Sequence, residues 1–268
     1  MRITPFLLKR ILAKILDVLG INTLMLHSLN REYRNNYIRI INYHDTPQEA
    51  VGNFEKQLLW YREHFENVDW DKLRVFLDGG YCFKDKPGIL LTFDDGLAAN
   101  ASVAAPLLKK YGFTGVFFIS SDLISGPGYM TWEEVKELQE GGHHIGCHTA
   151  THHRMEQTDT PEILQHEVID SKKLLERELQ CEIDSFCWCG GEEEHYTEAA
   201  ADVIRSAGYR YSFMTNSYPV VPGNDRLQLE RSNVDAAWST ALMRFQIAGW
   251  IDRRMNAKRI RVEAKTKG

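Results

Sequence analysis

A basic excess is missing from this chain: its 32 lysines and arginines are outnumbered by 37 aspartates and glutamates, leaving a formal net charge of -5. A general nucleic-acid binder ordinarily carries the opposite balance, and no run of basic and aromatic residues overrides it here. Cysteine is sparse and irregularly spaced. Cys82, Cys147, Cys181, Cys187 and Cys189 make an odd number without a repeating spacing, which speaks against a disulfide framework and for reduced core thiols in a reducing compartment. Cys187-Trp188-Cys189 is too close-set for a zinc Cys-x-x-Cys knuckle. Internal repeats and low-complexity linkers are also absent. A chain of 268 residues, 43% hydrophobic and 26% charged, is therefore expected to bury one sizeable core without splitting.

A recognisable export signal is lacking as well. Met1 to Leu26 starts basic and is rich in Leu and Ile, but Lys9, Arg10, Lys14 and Asp17 interrupt each apolar run before it reaches the length of a signal core or a membrane span. No small-residue cleavage site follows, so the expectation is a cytoplasmic chain. Wound as a helix, the segment gathers Leu8, Leu12, Ile15 and Leu19 on one side and Lys9, Arg10, Lys14 and Asp17 on the other. Such a helix either lies in the interface of an anionic membrane or packs on the domain. The stretch from Trp250 onward, with Arg253, Arg254, Lys258, Arg259, Arg261, Lys265 and Lys267, reads as a solvated basic helix or a disordered end, with a second membrane contact as the lesser alternative.

What the sequence does contain is chemistry concentrated in two short stretches. An apolar run from Ile89 to Phe93 ends abruptly in Asp94-Asp95-Gly96, as a buried strand opening into a functional turn would. Adjacent carboxylates repel, so ionising both in a half-buried place calls for a cation or hydrogen-bond donors; the pair suggests a metal or a catalytic base. A solvated Asp-Asp-Gly turn is the plain alternative. About fifty residues on, His148 and His152 stand four apart in His148-Thr149-Ala150-Thr151-His152. On a helical turn this spacing brings both imidazoles to one face. Two His and one carboxylate leave positions on a metal open to water or substrate, an arrangement suited to Lewis-acid hydrolysis. A non-haem iron oxygenase uses the same ligand types, but its His-x-Asp spacing on a β-sandwich does not match this order.

Strand-like runs at residues 38–43, 89–93, 115–120, 144–148, 185–189, 209–214 and 227–234 alternate with helical spacing at 53–66, 101–111, 132–139, 161–179 and 197–207. Alternation of this kind predicts an α/β fold with a parallel sheet, and so many units favour closure into a barrel. Chemistry in such barrels sits at the carboxyl ends of the strands, where Asp94, Asp95 and His148 fall.

Thr92-Phe93-Asp94-Asp95-Gly96 followed by His148-Thr149-Ala150-Thr151-His152 resembles the first two motifs of the polysaccharide deacetylases, the NodB-homology carbohydrate esterases, and the resemblance extends from about Tyr37 to Asp235. It implies a distorted (β/α)7 barrel over residues 37–240, set between an amphipathic helical segment, 1–36, and a basic tail, 241–268. By the same resemblance Asp94 is the general base, and Asp95, His148 and His152 bind a divalent metal, with zinc first and cobalt, nickel or manganese as alternatives. The implied reaction removes an N-acetyl or other N-acyl group from an amino sugar in surface-polysaccharide or glycolipid assembly, on a lipid-linked or nucleotide-linked precursor. An N-formyl substrate and a catalytically inactive sugar-binding protein on the same barrel are the alternatives.

The third motif departs from the family pattern. Phe186-Cys187-Trp188-Cys189-Gly190-Gly191 lacks the family's Arg, Pro and Tyr. The Gly190 backbone N–H is still able to serve an oxyanion hole. Arg231, in Leu229-Glu230-Arg231-Ser232, is either the orienting charge for Asp94 or a surface arginine on a strand edge. Trp188 either lines the sugar site or fills the core. The family's final Leu-x-His, which protonates the departing amine, has no counterpart after His195. His44, at the end of the first strand and beside the last in a closed barrel, takes that role, with His143, His144 and His153 as alternatives.

Overall fold

The computed structural model describes residues 4–267. Its strands are β1 (Ile38–Tyr43), β2 (Glu66–Asn67), β3 (Gly88–Phe93), β4 (Gly115–Ile119), β5 (His144–Cys147), β6 (Ser185–Cys187), β7 (Tyr211–Met214) and β8 (Leu229–Asn233). Seven of them form a closed parallel barrel in the order β1, β8, β7, β6, β5, β4, β3 and back to β1, while two-residue β2 pairs with the start of β3. This is the (β/α)7 barrel expected from the sequence.

Every residue of β1, β3, β4 and β7 is buried, as parallel strands covered on both faces require. Successive side chains serve two layers. Ile38, Ile40, Leu90, Val116, Phe118, Phe213 and Leu229 pack inside the barrel. Ile41, Leu91, Phe93, Phe117 and Ile145 pack in the larger outer cluster beneath the helices. The inward register changes character toward the carboxyl ends: Ile40 is followed two and four residues on by Asn42 and His44, Leu90 by Thr92 and Asp94, Leu229 by Arg231 and Asn233. A period of two thus sets a polar mouth on an apolar plug. Gly146 on β5 is needed beneath that mouth, since a Cβ there would come within 2.5 Å of both Phe118 and the Ser185 hydroxyl.

The helices are α1 (Pro5–Val18), α2 (Ile21–Glu32), α3 (Val51–His64), α4 (Trp70–Leu77), α5 (Ala105–Tyr111), α6 (Trp132–Glu140), α7 (Pro161–Leu164), α8 (Ser171–Leu179), α9 (Glu198–Ser206), α10 (Thr240–Ile247) and α11 (Trp250–Thr266). The helix expected over 161–179 is continuous, but it widens into a π-helical turn at Gln165–Asp170 between α7 and α8. The one expected at 101–111 likewise begins with a π-helical turn at Asn100–Ala104. Helix α4 had no clear sequence signal: eight residues give few repeats of the apolar period, and its start rests on the Asp69 carboxylate accepting from the Lys72 N–H at 2.8 Å.

From Trp250 onward the chain is a basic helix, much of it exposed, as one of the two readings expected, and not a disordered end, whereas the residues just before it are no tail. Helix α10 buries Leu242, Met243, Phe245, Gln246 and Ile247, and α11 is fixed by the buried Asp252 carboxylate, which accepts from Arg39 at 3.0 and 2.8 Å. At the other end the segment begins outside the described residues, and α1 docks on α10 with Lys9 and Asp17 inward while Arg10 and Lys14 stay exposed. Lys9 Nζ donates to Gln246 Oε1 at 2.7 Å, and Arg244 approaches Asp17 at 3.4 Å. The leucine-rich side, which the packed alternative would bury, faces outward. Among the described residues no single helix is long and apolar enough to cross a membrane.

Candidate active site

Strand β3 stays paired through Asp94, whose N–H donates to the Tyr43 carbonyl at 2.9 Å. The chain then turns through Asp95 and Gly96 at φ 74° and 80°, a left-handed conformation that costs an aspartate more than a glycine and that here swings the second carboxylate away from the first. The two acids consequently have different surroundings. Asp94 is 2% exposed and Arg231, from β8, is fully buried. Arg231 donates to both Asp94 oxygens, Nη1 at 2.7 Å and Nη2 at 2.8 Å, and its Nη1 also reaches Thr92 Oγ1 at 3.0 Å and Asn42 Oδ1 at 3.2 Å. Burial works to raise the Asp94 pKa, but the Arg231 guanidinium, with His148 and His44 nearby, holds the carboxyl below its ordinary range. The surface-arginine reading of Arg231 is therefore wrong, and the orienting charge missing from the third motif is supplied by another strand.

Cys187, the last residue of β6, also reaches this pair. Its thiol lies 3.6 and 3.7 Å from the Asp94 oxygens, and Arg231 Nη2 is 2.9 Å from the sulfur. Burial pushes the thiol pKa up to about 11, so it approaches Asp94 as a neutral donor.

Strand β5 ends at Cys147, and His148 continues its direction by donating its N–H to the Ile119 carbonyl at 2.9 Å. His148 Nδ1 lies 2.9 Å from the Cys187 carbonyl, to which it donates, and Nε2 is the nitrogen turned toward Asp95. The expected helical turn between His148 and His152 does not form. Thr149 and His152 are both left-handed, at φ 62° and 63°, and the segment is a loop. Buried Glu167, in the π-helical turn, holds that loop: its carboxylate accepts from the Ala150 N–H at 2.9 Å, the Thr151 N–H at 3.0 Å and the Thr151 hydroxyl at 2.7 Å. The histidines converge through loop geometry where the sequence suggested helical periodicity.

Asp95 Oδ1 lies 3.4 Å from His148 Nε2 and 3.1 Å from His152 Nε2. Although close, neither imidazole is aligned to donate to it, and this buried oxygen has no hydrogen-bond partner. Burial would raise the Asp95 pKa, yet the two neighbouring imidazoles drive it far below the ordinary carboxylate value. A buried, unsatisfied carboxylate oxygen facing two imidazole nitrogens fits a divalent cation, and the oxygen and nitrogen donor set suits a borderline metal such as zinc, cobalt, nickel or manganese.

These groups open into a cavity of about 480 Å³ lined by His44, Asp94, His148, His152, Trp188 and Gly190, together with Asn42, Arg154, Gly191, Glu192, Thr215, Asn233 and Met255. Its volume is in the range of small-ligand sites. Another cavity, of about 360 Å³, lies beside α2 and α11 among Tyr33, Tyr218 and Asp252 and contains none of the residues singled out by the motifs. Trp188 is only 2% exposed, donates its indole N–H to Ser212 Oγ at 2.8 Å and packs on Tyr196, so it belongs mainly to the core and presents one edge to the mouth. His44 is exposed at the mouth. The alternatives to it are engaged elsewhere: His143 Nδ1 accepts from the Gly115 N–H at 3.0 Å, His144 stacks on Trp70 at 3.7 Å, and His153 pairs with Asp159 at 2.9 Å. Sequence reasoning read Cys187 only as a core thiol and did not single out Glu167, which looks like any polar residue of a helical pattern.

The closed barrel, with paired aspartates and two histidines at its carboxyl-end mouth, defines the class. Residues 83–212 match the model of the family described as polysaccharide deacetylase. Residues 83–212 are thus similar to the polysaccharide deacetylase family, a hydrolase class. Over 127 residues it is 32% identical to YxkH of Bacillus subtilis (strain 168), which bears the polysaccharide deacetylase name; the match covers 47% of this chain and 44% of that protein. The chain therefore spans less than half the length of that relative. Among solved structures, the Streptococcus pyogenes deacetylase PplD in complex with acetate aligns at TM-score 0.68 and 23% identity, covering 79% of this chain and 98% of that one. IcaB from Ammonifex degensii aligns at TM-score 0.67 and 20% identity, covering 81% of this chain and 97% of that one. At these identities the likeness establishes the fold.

Proposed function

We propose that this protein is a metal-dependent hydrolase that removes an N-acyl group, acetyl first, from an amino sugar. The observation that carries the reading is the division of labour between adjacent acids: Asp94 buried against Arg231, and Asp95 turned toward two imidazoles. Asp95, His148 and His152 would hold a divalent metal, zinc first. When bound, it supplies Lewis acidity to a water and to the amide carbonyl. Asp94 accepts the proton of the attacking water, and the Arg231 pairing keeps this base ionised and oriented. The Gly190 N–H stabilises the developing oxyanion, and His44 returns a proton to the departing amine nitrogen. A mere sugar binder has no use for a buried, arginine-held carboxylate beside the metal site, which weighs against the inactive alternative.

The finer reading places the substrate in surface-polysaccharide or glycolipid assembly, as a lipid-linked saccharide met at the cytoplasmic side of an anionic membrane. Five free thiols suit a reducing compartment. Metal content and turnover measured together test the core of the proposal. Asp95→Ala and His148→Ala should lose both. Asp94→Asn should keep the metal and lose turnover by roughly a hundredfold or more, the scale of general-base catalysis. Near-native turnover in Asp94→Asn would mean the base is elsewhere.

A further inference from the structure

Helix α1 is amphipathic in the inverted sense. Its seat on α10 consists of Ala13 and Leu16 packed on Leu242 and Phe245, with Lys9 and Asp17 bonded to the same helix. The opposite side carries Leu8, Ile11, Leu12, Ile15, Val18 and Leu19, exposed from 46% at Ile11 to 79% at Val18. A helix that turns Lys9 and Asp17 toward the protein and leaves six large apolar side chains exposed on the opposite side departs from the usual division of a surface helix.

Charge distribution indicates what covers this face. Residues 1–36 hold six Lys and Arg against two Asp and Glu, and residues 250–268 hold seven against two, within a chain whose net charge is -5. The two basic segments meet: Trp250 and Ile251 at the start of α11 pack with Ala13 and Leu16 of α1, and Arg254 is close enough to Lys9 to lower the lysine's pKa, after burial. Exposed Arg10, Lys14, Arg253 and Arg254 thus accompany the apolar strip. A second copy docked face to face would bring the same cations toward one another, whereas an anionic lipid surface neutralises them.

We propose that the outward face of α1, with its arginine and lysine rim, is a docking surface for an anionic lipid bilayer. The strip enters the acyl boundary and the cations meet phosphate headgroups. The position serves the site: Ile251 of α11 packs against the α1 cluster, and Met255, one turn further on, lines the cavity mouth. This deepens the reading of a saccharide met at a membrane, but docking itself does not require turnover.

The test is sedimentation of the full chain with vesicles, read without any substrate. Vesicles of phosphatidylglycerol and phosphatidylcholine in equal parts should pull the protein down, salt should weaken the binding, and pure phosphatidylcholine should bind less. Leu12→Ser/Ile15→Ser/Leu19→Ser changes only exposed positions, so it should keep the native circular dichroism and melting temperature while losing the vesicles. Arg10→Ala/Lys14→Ala should weaken binding by roughly tenfold or more. No binding by the wild-type chain, or binding unaltered in the Ser variant, overturns the proposal. So does a dimer in solution that the Ser variant dissociates while vesicles are ignored, because a second copy would then be the occupant. Loss of hydrolysis in an Asp94→Asn chain that still sediments leaves docking intact, which separates the two readings.

Discussion

Arg231, on the last strand of the barrel, grips both oxygens of Asp94, at the end of the third, through a fully buried bidentate pair at 2.7 and 2.8 Å. Strand β1 lies between them and contributes Asn42, which accepts from the same guanidinium at 3.2 Å. Breaking such a pair from one side strands a buried charge, a loss on the order of 3–5 kcal/mol. Arg231→Met should therefore destabilise strongly in urea denaturation, and Arg231→Met/Asp94→Asn should lose less than the sum of the single changes. Strict additivity would show that the pair is not coupled.

The same contact fixes a pH effect on catalysis. Against burial, Arg231 is the foremost of the groups that keep the Asp94 pKa low, so weakening its contact lets burial raise that pKa. A base must be ionised to act. In Arg231→Lys, whose single ammonium replaces a bidentate fork, the acid limb of kcat/KM should move to higher pH. An unmoved limb would mean that it reports some other group.

His44 is the imidazole left exposed at the mouth once His143, His144 and His153 are assigned to their own partners. His44→Ala should bind metal normally and lose roughly a hundredfold or more in amide turnover. An activated acetyl ester needs leaving-group protonation less than an amide does, so the ester loss should be smaller. Equal losses on the two substrates would contradict the assignment.

Glu230, next to Arg231 but facing away from the site, provides a stability test. Burial raises its pKa to about 7, against the Asn216 N–H and side-chain amide that bond its oxygens at 2.7 and 3.0 Å. The folded state therefore holds a proton that the unfolded chain releases at lower pH, so this group's contribution to stability declines as pH rises from the ordinary glutamate range to about 7. Asn216 Oδ1 has no partner and can accept from a glutamine amide if the Asn216 amide turns over. Glu230→Gln should thus remove the decline and be the more stable form at pH 8, by up to about 3 kcal/mol. Parallel unfolding curves for the two proteins across that interval would contradict the shift.

Much of the barrel was legible because strand burial writes itself as short apolar runs, and because Asp94, Asp95, His148 and His152 lie at or just beyond the carboxyl ends of β3 and β5. The route by which His148 and His152 converge was not legible: a spacing of four is shared by helices and loops, and two left-handed residues decided for the loop. Arg231 was ambiguous because a strand residue's side of the sheet depends on register, which places Arg231 level with Ile40 on β1 and turns it inward. The orientation of α1 was also hidden. Its periodicity separates two sides but cannot say which meets the protein, and Gln246 and Arg244 on α10 receive Lys9 and Asp17 of the polar one.

Deacetylation is decided by incubating the zinc-loaded protein with N-acetylated amino-sugar oligosaccharides and following both products, free acetate and the exposed amine, by mass spectrometry and amine labelling. A deacetylase releases equal amounts of acetate and new amine with the sugar chain intact, and Asp94→Asn should abolish both. An intact acetylated substrate under metal-replete conditions, for acetyl and formyl sugars alike, or equal product from Asp94→Asn, would contradict the proposed function.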